Sequence, residues 1–191
     1  QKLRTQGGLS HEDAMRDCRA EILFVDKAFA AVGTTLAKAN PGLKLVYADD
    51  GETSAGMENY EALITQSQPV ADAMRKRDDL AGIFYTGGTT GRSKGVMLSH
   101  GNLMANAFNA LSEGLWPSTT IYLHAAPMFH LANGAAMYSV LLSGGSNVVI
   151  QGFTPDGVAA AIQKERVTGV LLVPTMIQMF VDHPTLGNYD L

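Results

Sequence analysis

Short β-branched and aliphatic runs alternate along the chain with longer stretches of helical periodicity. Ser10, followed three residues later by Asp13, predicts the start of a first helix, because its hydroxyl can cap the free N–H groups of the opening turn. Residues 21–25 read as a strand ending at Asp26. Residues 27–39 read as a helix stopped by Asn40, Pro41 and Gly42, and residues 43–48 as a second strand. Residues 49–56 are polar and glycine-bearing, hence a surface loop, and residues 59–65 fit a short helix. With Pro69 and mixed charges, residues 66–79 are the most linker-like stretch.

The pattern sharpens beyond that linker. Residues 80–85 predict a strand, 86–95 a loop holding Gly87, Gly88, Gly91 and Gly95, 96–99 a short strand and 102–115 a helix. Residues 121–124 are the next strand. An apolar helix over 131–142, interrupted by Asn133, Gly134 and Ser139, closes at Ser143, Gly144 and Gly145. Strands over 147–150 and 169–173 flank a helix that Thr154 caps before Pro155 and that runs to Glu165. Residues 175–181 form a last helix. Such alternation predicts an α/β layered fold with a mostly parallel sheet. The unbroken apolar character of 148–150 and 170–173 predicts strands covered on both faces.

Composition narrows the function classes. Hydrophobic residues make up 46% of the 191 residues and charged residues 17%, enough to bury a core. Net charge is -4 without a block of like charge, which argues against a nucleic-acid partner. Arg75, Lys76 and Arg77 are followed at once by Asp78 and Asp79, and are expected to be a solvated helix end. Cys18 is the only cysteine, so no internal disulfide forms, zinc sites of the CxxC type are excluded and a reducing, cytoplasmic compartment is the expectation. Between Met15, Ala20 and Ile22, Cys18 is expected to be a small core residue. No apolar run reaches the roughly 20 residues of a transmembrane segment, and no signal peptide opens the chain.

Residues 85–95, YTGGTTGRSKG, carry the chemistry. Glycines at 87, 88, 91 and 95 let backbone N–H groups converge on a polyphosphate. Thr86, Thr89 and Thr90 add hydroxyl donors, Lys94 a compact positive charge and Arg92 a second one. Donors plus a cation are what a departing pyrophosphate needs. The spacing is neither Walker A, since Gly95 follows Lys94 and Ser93 precedes it, nor a GxGxxG fingerprint.

This segment resembles the phosphate signature of the adenylate-forming superfamily, YTSGTTGxPKG, found in acyl- and aryl-CoA synthetases, luciferases and peptide-synthetase adenylation domains. The resemblance extends over VMLSHGNL at 96–103, Pro127-Met128-Phe129-His130, LLSGG at 141–145 with Phe153, Arg166-Val167-Thr168 and Val173-Pro174-Thr175-Met176, and reaches upstream through 9–13, 22–26 and 41–45. Gly87 stands where serine is usual, a variant familiar from fatty acyl-CoA ligases, and Ser93 stands where proline is usual. The resemblance implies a partial N-terminal AMP-binding domain over 1–191, with one portion at 1–79 and the phosphate-loop portion at 80–191. The family's adenine motif, ribose-binding aspartate and C-terminal domain with its lysine do not appear in it. It implies ATP, Mg²⁺ and coenzyme A as cofactors or co-substrates and a carboxylic acid, a fatty acid before an aryl or amino acid, as substrate.

By the same resemblance, Thr86, Gly87, Gly88, Thr89, Thr90, Gly91, Arg92, Ser93 and Lys94 would hold the phosphates and Thr90 would contact Mg²⁺. Lys94 and His130 would be the catalytic positions, with His130 beside the acyl pocket. A homodimer is compatible with it, and a non-catalytic nucleotide-binding module is the competing reading. His100 is expected to cap or position the strand-to-helix turn. His11, His124 and His183 have no partner at ligand spacing and read as packing residues, as do Met128, Phe129, Met137, Tyr138 and Trp116.

Overall fold

The computed structural model describes residues 10–86 and 94–191. These divide into two compact units: the first takes residues up to Arg75 together with Leu80–Leu98, and the second takes Lys76–Asp79 and Ser99–Leu191. The strands on either side of the glycine-rich segment therefore fold with residues 10–75, although the sequence places a boundary before residue 80.

In the first unit, Ser10 caps α1 (His11–Asp17) by accepting from the Asp13 N–H at 3.1 Å, as its position predicts. Strands β1 (Ile22–Val25), β2 (Lys44–Tyr47) and β3 (Glu58–Asn59) form a parallel sheet in that order. Helix α2 (Ala30–Ala39) packs on it. There Gly33 allows close approach, since a Cβ at that position would come within 3.0 Å of Val25 Cγ1. The helix starts three residues later than the sequence suggests, because the Asp26 carboxylate accepts from the Phe29 N–H and holds 26–29 as a turn. The central strand supplies the core through Leu45, Val46 and Tyr47. Asn59 caps α3 (Tyr60–Gln66). Strands β4 (Leu80–Thr86) and β5 (Lys94–Ser99) pair as a separate two-stranded sheet.

Three local expectations change. Cys18 is half-buried at the C-cap of α1, its thiol 3.7 Å from the Met15 carbonyl, and Ile22 beside it is exposed, so this corner is not core. Arg75–Arg77 end no helix. Their segment is an exposed turn in which the Asp79 N–H donates to the Lys76 carbonyl and the Asp79 carboxylate accepts from the Lys76 N–H.

The second unit is a three-layer α/β arrangement. Strand β6 (Ile121–His124) lies between β7 (Ser146–Val149) and β8 (Gly169–Val170), all parallel. Successive side chains of a strand face opposite ways. Leu123 accordingly joins Val158 and Ala161 of α6 (Pro155–Glu165), while Tyr122 joins Ala136 and Val140 of α5 (Leu131–Ser143). Helix α4 (His100–Ser112) packs against α5. Ser99 opens α4 with a reciprocal capping box to Asn102, and Gly144 ends α5 in the left-handed conformation. The third altered expectation concerns the flanking strands: β8 is two residues long, and Val149 and Val173 are exposed, so the apolar run marks edge positions rather than strands covered on both faces. After α7 (Pro174–Val181), a 3₁₀ turn at Leu186–Asn188 returns to α6.

That return has a pH dependence. Hydrogen bonds from Thr185, and then from Tyr189, hold the Asp156 carboxyl below its ordinary value, against the opposing effect of desolvation; His183 adds a smaller attraction. A depressed folded-state pKa contributes stability above the unfolded value, and that contribution is lost as pH falls through the folded value. Amide protection factors at 186–190, taken relative to the intrinsic exchange rate at each pH, should therefore fall below about pH 4, and Asp156→Asn should give the lower protection already at neutral pH. Equal protection in the variant at pH 7 would refute the role assigned to this carboxylate.

Candidate functional site

The base of the phosphate-loop segment is built from β4 and β5. Thr86 is the last residue of β4 and Lys94 the first of β5, so Thr86, Lys94 and Gly95 of the expected loop 86–95 are strand residues. Gly87, Gly88, Thr89, Thr90, Gly91, Arg92 and Ser93 lie outside the described residues. Two features hold the base in place. The Tyr85 hydroxyl donates to Asp17 Oδ2 at 2.6 Å, tying the end of β4 to α1. Gly95 lies so close to β4 that a Cβ would approach Ile83 Cγ2 to 2.8 Å and the Tyr85 ring to 3.2 Å. A glycine next to Lys94 is thus a packing requirement of the strand pair. Thr86 and Lys94 are both exposed.

His130 belongs to the second unit, where it is exposed at the N-cap of α5. Its N–H donates to the Pro127 carbonyl, and its own carbonyl accepts from the Asn133 and Gly134 N–H groups. The imidazole lies against the ring of Phe129, centroids 4.7 Å apart. Phe129 is 75% exposed, so it presents an apolar surface beside His130 rather than filling the core. His100 is the first residue of α4, and its N–H donates to the Asp79 carbonyl; Ser99, not His100, makes the cap. Trp116 packs edge-on against Tyr122 at 4.9 Å, as expected of a packing residue.

Sequence reasoning misses a buried polar cluster beneath His130. His124 is 2% exposed and Asn133 1%. Asn133 Nδ2 donates to the Ala126 carbonyl at 2.5 Å, and Asn133 Oδ1 lies 3.2 Å from both the Tyr122 hydroxyl and His124 Nδ1. His124 Nε2 lies 2.7 Å from Asn147 Oδ1. Burial pushes the Tyr122 hydroxyl above its ordinary value, only partly offset by a backbone hydrogen bond at Leu171, so it remains a neutral donor. The available signal was an asparagine inside an apolar helix, a residue that cannot be buried cheaply without partners.

Among the described residues no group of three or more His, Cys, Asp or Glu side chains could hold a metal ion, and no helix is long and apolar enough to cross a membrane. In the first unit, Thr86 offers a hydroxyl and Lys94 a cation at the strand ends that flank 87–93. In the second unit, His130 stands at a helix start beside the apolar Phe129.

A feruloyl-CoA synthase from an Amycolatopsis species is 44% identical over 115 residues, which cover 60% of this chain and 23% of that protein. A medium/long-chain fatty acid–CoA ligase of Mycobacterium tuberculosis is 35% identical over 132 residues, 69% of this chain and 23% of its own length. The chain thus spans about a quarter of the length of these two relatives. The solved amide bond synthetase McbA of Marinactinospora thermotolerans superposes with a TM-score of 0.74 at 27% identity, over 94% of this chain and 35% of that one. The model of the AMP-binding enzyme family matches residues 6–191, and this chain belongs to that family as a part of its N-terminal α/β region.

Proposed function

We propose that the protein containing this chain is an AMP-forming acid–CoA ligase, and that this chain contributes its phosphate loop and one border of its acid site. The observation that carries the reading is the segment from Thr86 to Lys94, whose base is tied down by Tyr85 and Gly95. In this reading Thr86, residues 87–93 and Lys94 bind the β- and γ-phosphates of ATP. The substrate carboxylate attacks the α-phosphorus, the bond to the bridging oxygen breaks, and pyrophosphate leaves with the electron pair. The thiol of coenzyme A then displaces AMP from the acyl-adenylate to give the thioester. Lys94 and the loop donors stabilise the charge that develops on the leaving pyrophosphate. His130 and Phe129 border the acid and hold it in line, a contribution of orientation. Thr90 is the residue of this chain offered to Mg²⁺, which when bound would neutralise phosphate charge.

For the acid, Gly87 favours a fatty acid, and the fatty acid–CoA ligase relative supports that class. The feruloyl-CoA synthase relative favours an aryl acid as the second reading. The test is acid-dependent ATP–pyrophosphate exchange by the full-length protein with straight-chain acids of increasing length, aryl acids and amino acids. Exchange that depends on straight-chain acids supports the first class, and exchange confined to aryl acids supports the second. A folded protein that binds MgATP but exchanges with none of them is the non-catalytic nucleotide-binding module.

A further inference from the structure

The buried cluster around Asn133 has a direction built into it. A backbone carbonyl only accepts, so the Ala126 oxygen 2.5 Å away selects the NH₂ end of the Asn133 amide. That leaves Asn133 Oδ1 facing the Tyr122 hydroxyl and His124 Nδ1, each at 3.2 Å, and both must then donate. His124 Nδ1 therefore carries a proton. In the neutral ring Nε2 is left as an acceptor, yet the atom placed 2.7 Å from it is Asn147 Oδ1, which also only accepts. Asn147 Nδ2 is buried without a hydrogen-bond partner among the described residues. A half-turn of that amide exchanges its oxygen and nitrogen at no steric cost, and gives both Nε2 and the NH₂ group a partner.

The same cluster reaches the segment Pro127–His130 from below. Asn133 grips the carbonyl immediately before Pro127, and its backbone N–H donates to the His130 carbonyl, so one residue holds both ends of the turn that carries Phe129 and His130. Unpaired, the Asn133 amide would be costly at 1% exposure, so the turn and the amide hold each other. We propose that Asn133 is a positioning residue for the turn bearing His130, oriented by Tyr122 and by an Nδ1–H tautomer of His124. Its catalytic consequence rests on the acid–CoA ligase reading, whereas the tautomer and the turn geometry do not.

Two measurements test it. In the ¹⁵N-labelled full-length protein, long-range ¹H–¹⁵N correlations are expected to show His124 protonated at Nδ1 with a pyridine-like Nε2. Protonation at Nε2 alone would overturn the proposal, and this readout needs no variant to fold. In the full-length protein, Asn133→Leu, close in volume but without hydrogen bonds, and Asn133→Ala are expected to lower kcat/KM for the acid by about 10- to 100-fold while leaving the KM for MgATP in place. Equal losses toward both substrates, or no loss in folded variants, would overturn the positioning role. If the unaltered protein shows no acid-dependent exchange, the ligase reading fails and the His124 tautomer alone decides the inference.

Discussion

Replacing Lys94 with alanine in the full-length protein should lower acid-dependent ATP–pyrophosphate exchange by about 100- to 1000-fold, the range seen when one preorganised stabiliser of developing charge is removed. Lys94 is exposed at the first position of β5, on a strand pair whose packing depends on Gly95 and Tyr85 rather than on the lysine. Its removal should therefore leave the thermal unfolding midpoint within a few degrees of the parent value. The combination is diagnostic: a large kinetic loss with little change in stability places the lysine in charge stabilisation. Lys94→Arg should recover part of the exchange, because charge is retained while the compact ammonium is replaced by a planar fork. Exchange by Lys94→Ala within about threefold of the parent would remove this residue from the phosphate site; a threefold change is less than 1 kcal/mol of transition-state stabilisation.

The second large effect is structural. Gly134 lies in the first turn of α5, where a Cβ would stand 2.5 Å from the carbonyl oxygen of Met128. The obstacle is backbone, so relief requires moving the turn that carries Phe129 and His130. In an unobstructed helix, glycine to alanine would gain about 1 kcal/mol. Here the overpacking cost of roughly 1–3 kcal/mol or more works against that gain. Gly134→Ala should therefore destabilise the chain by about 1–2 kcal/mol in urea denaturation and, in the full-length protein, depress kcat/KM for the acid. Gly152→Ala is the matched control: nothing lies within 4 Å of a Cβ there, and its backbone angle is ordinary. Its effect should stay within about 0.5 kcal/mol. A Gly134→Ala chain as stable as the Gly152→Ala chain would show that the turn can move freely, and would weaken the case that it is held by α5.

Much of this was legible in the sequence. Capping residues are local devices, and Ser10 and Thr154 cap helices where their positions predict. The strand at Ile121–His124 and the left-handed glycine that ends α5 follow from short-range pattern alone. The family was legible for the same reason, since the motif at 85–95 is held in one contiguous run. Edge and centre were not legible: the apolar stretches near 149 and 173 read as covered strands, yet their neighbours in space leave Val149 and Val173 exposed.

The sequence by itself determined the alternation of elements, the α/β class and the family resemblance, because each depends on periodicity or on residues adjacent in the chain. Only the tertiary structure decided that β4 and β5 fold with the first unit, that Tyr85 is tied to Asp17, and that Tyr122, His124, Asn133 and Asn147 meet beneath the His130 turn. The physical reason is the satisfaction of buried polar groups. An asparagine in an apolar helix announces that partners must exist, but which carbonyl and which ring supply them depends on the register between that helix and the strands it covers.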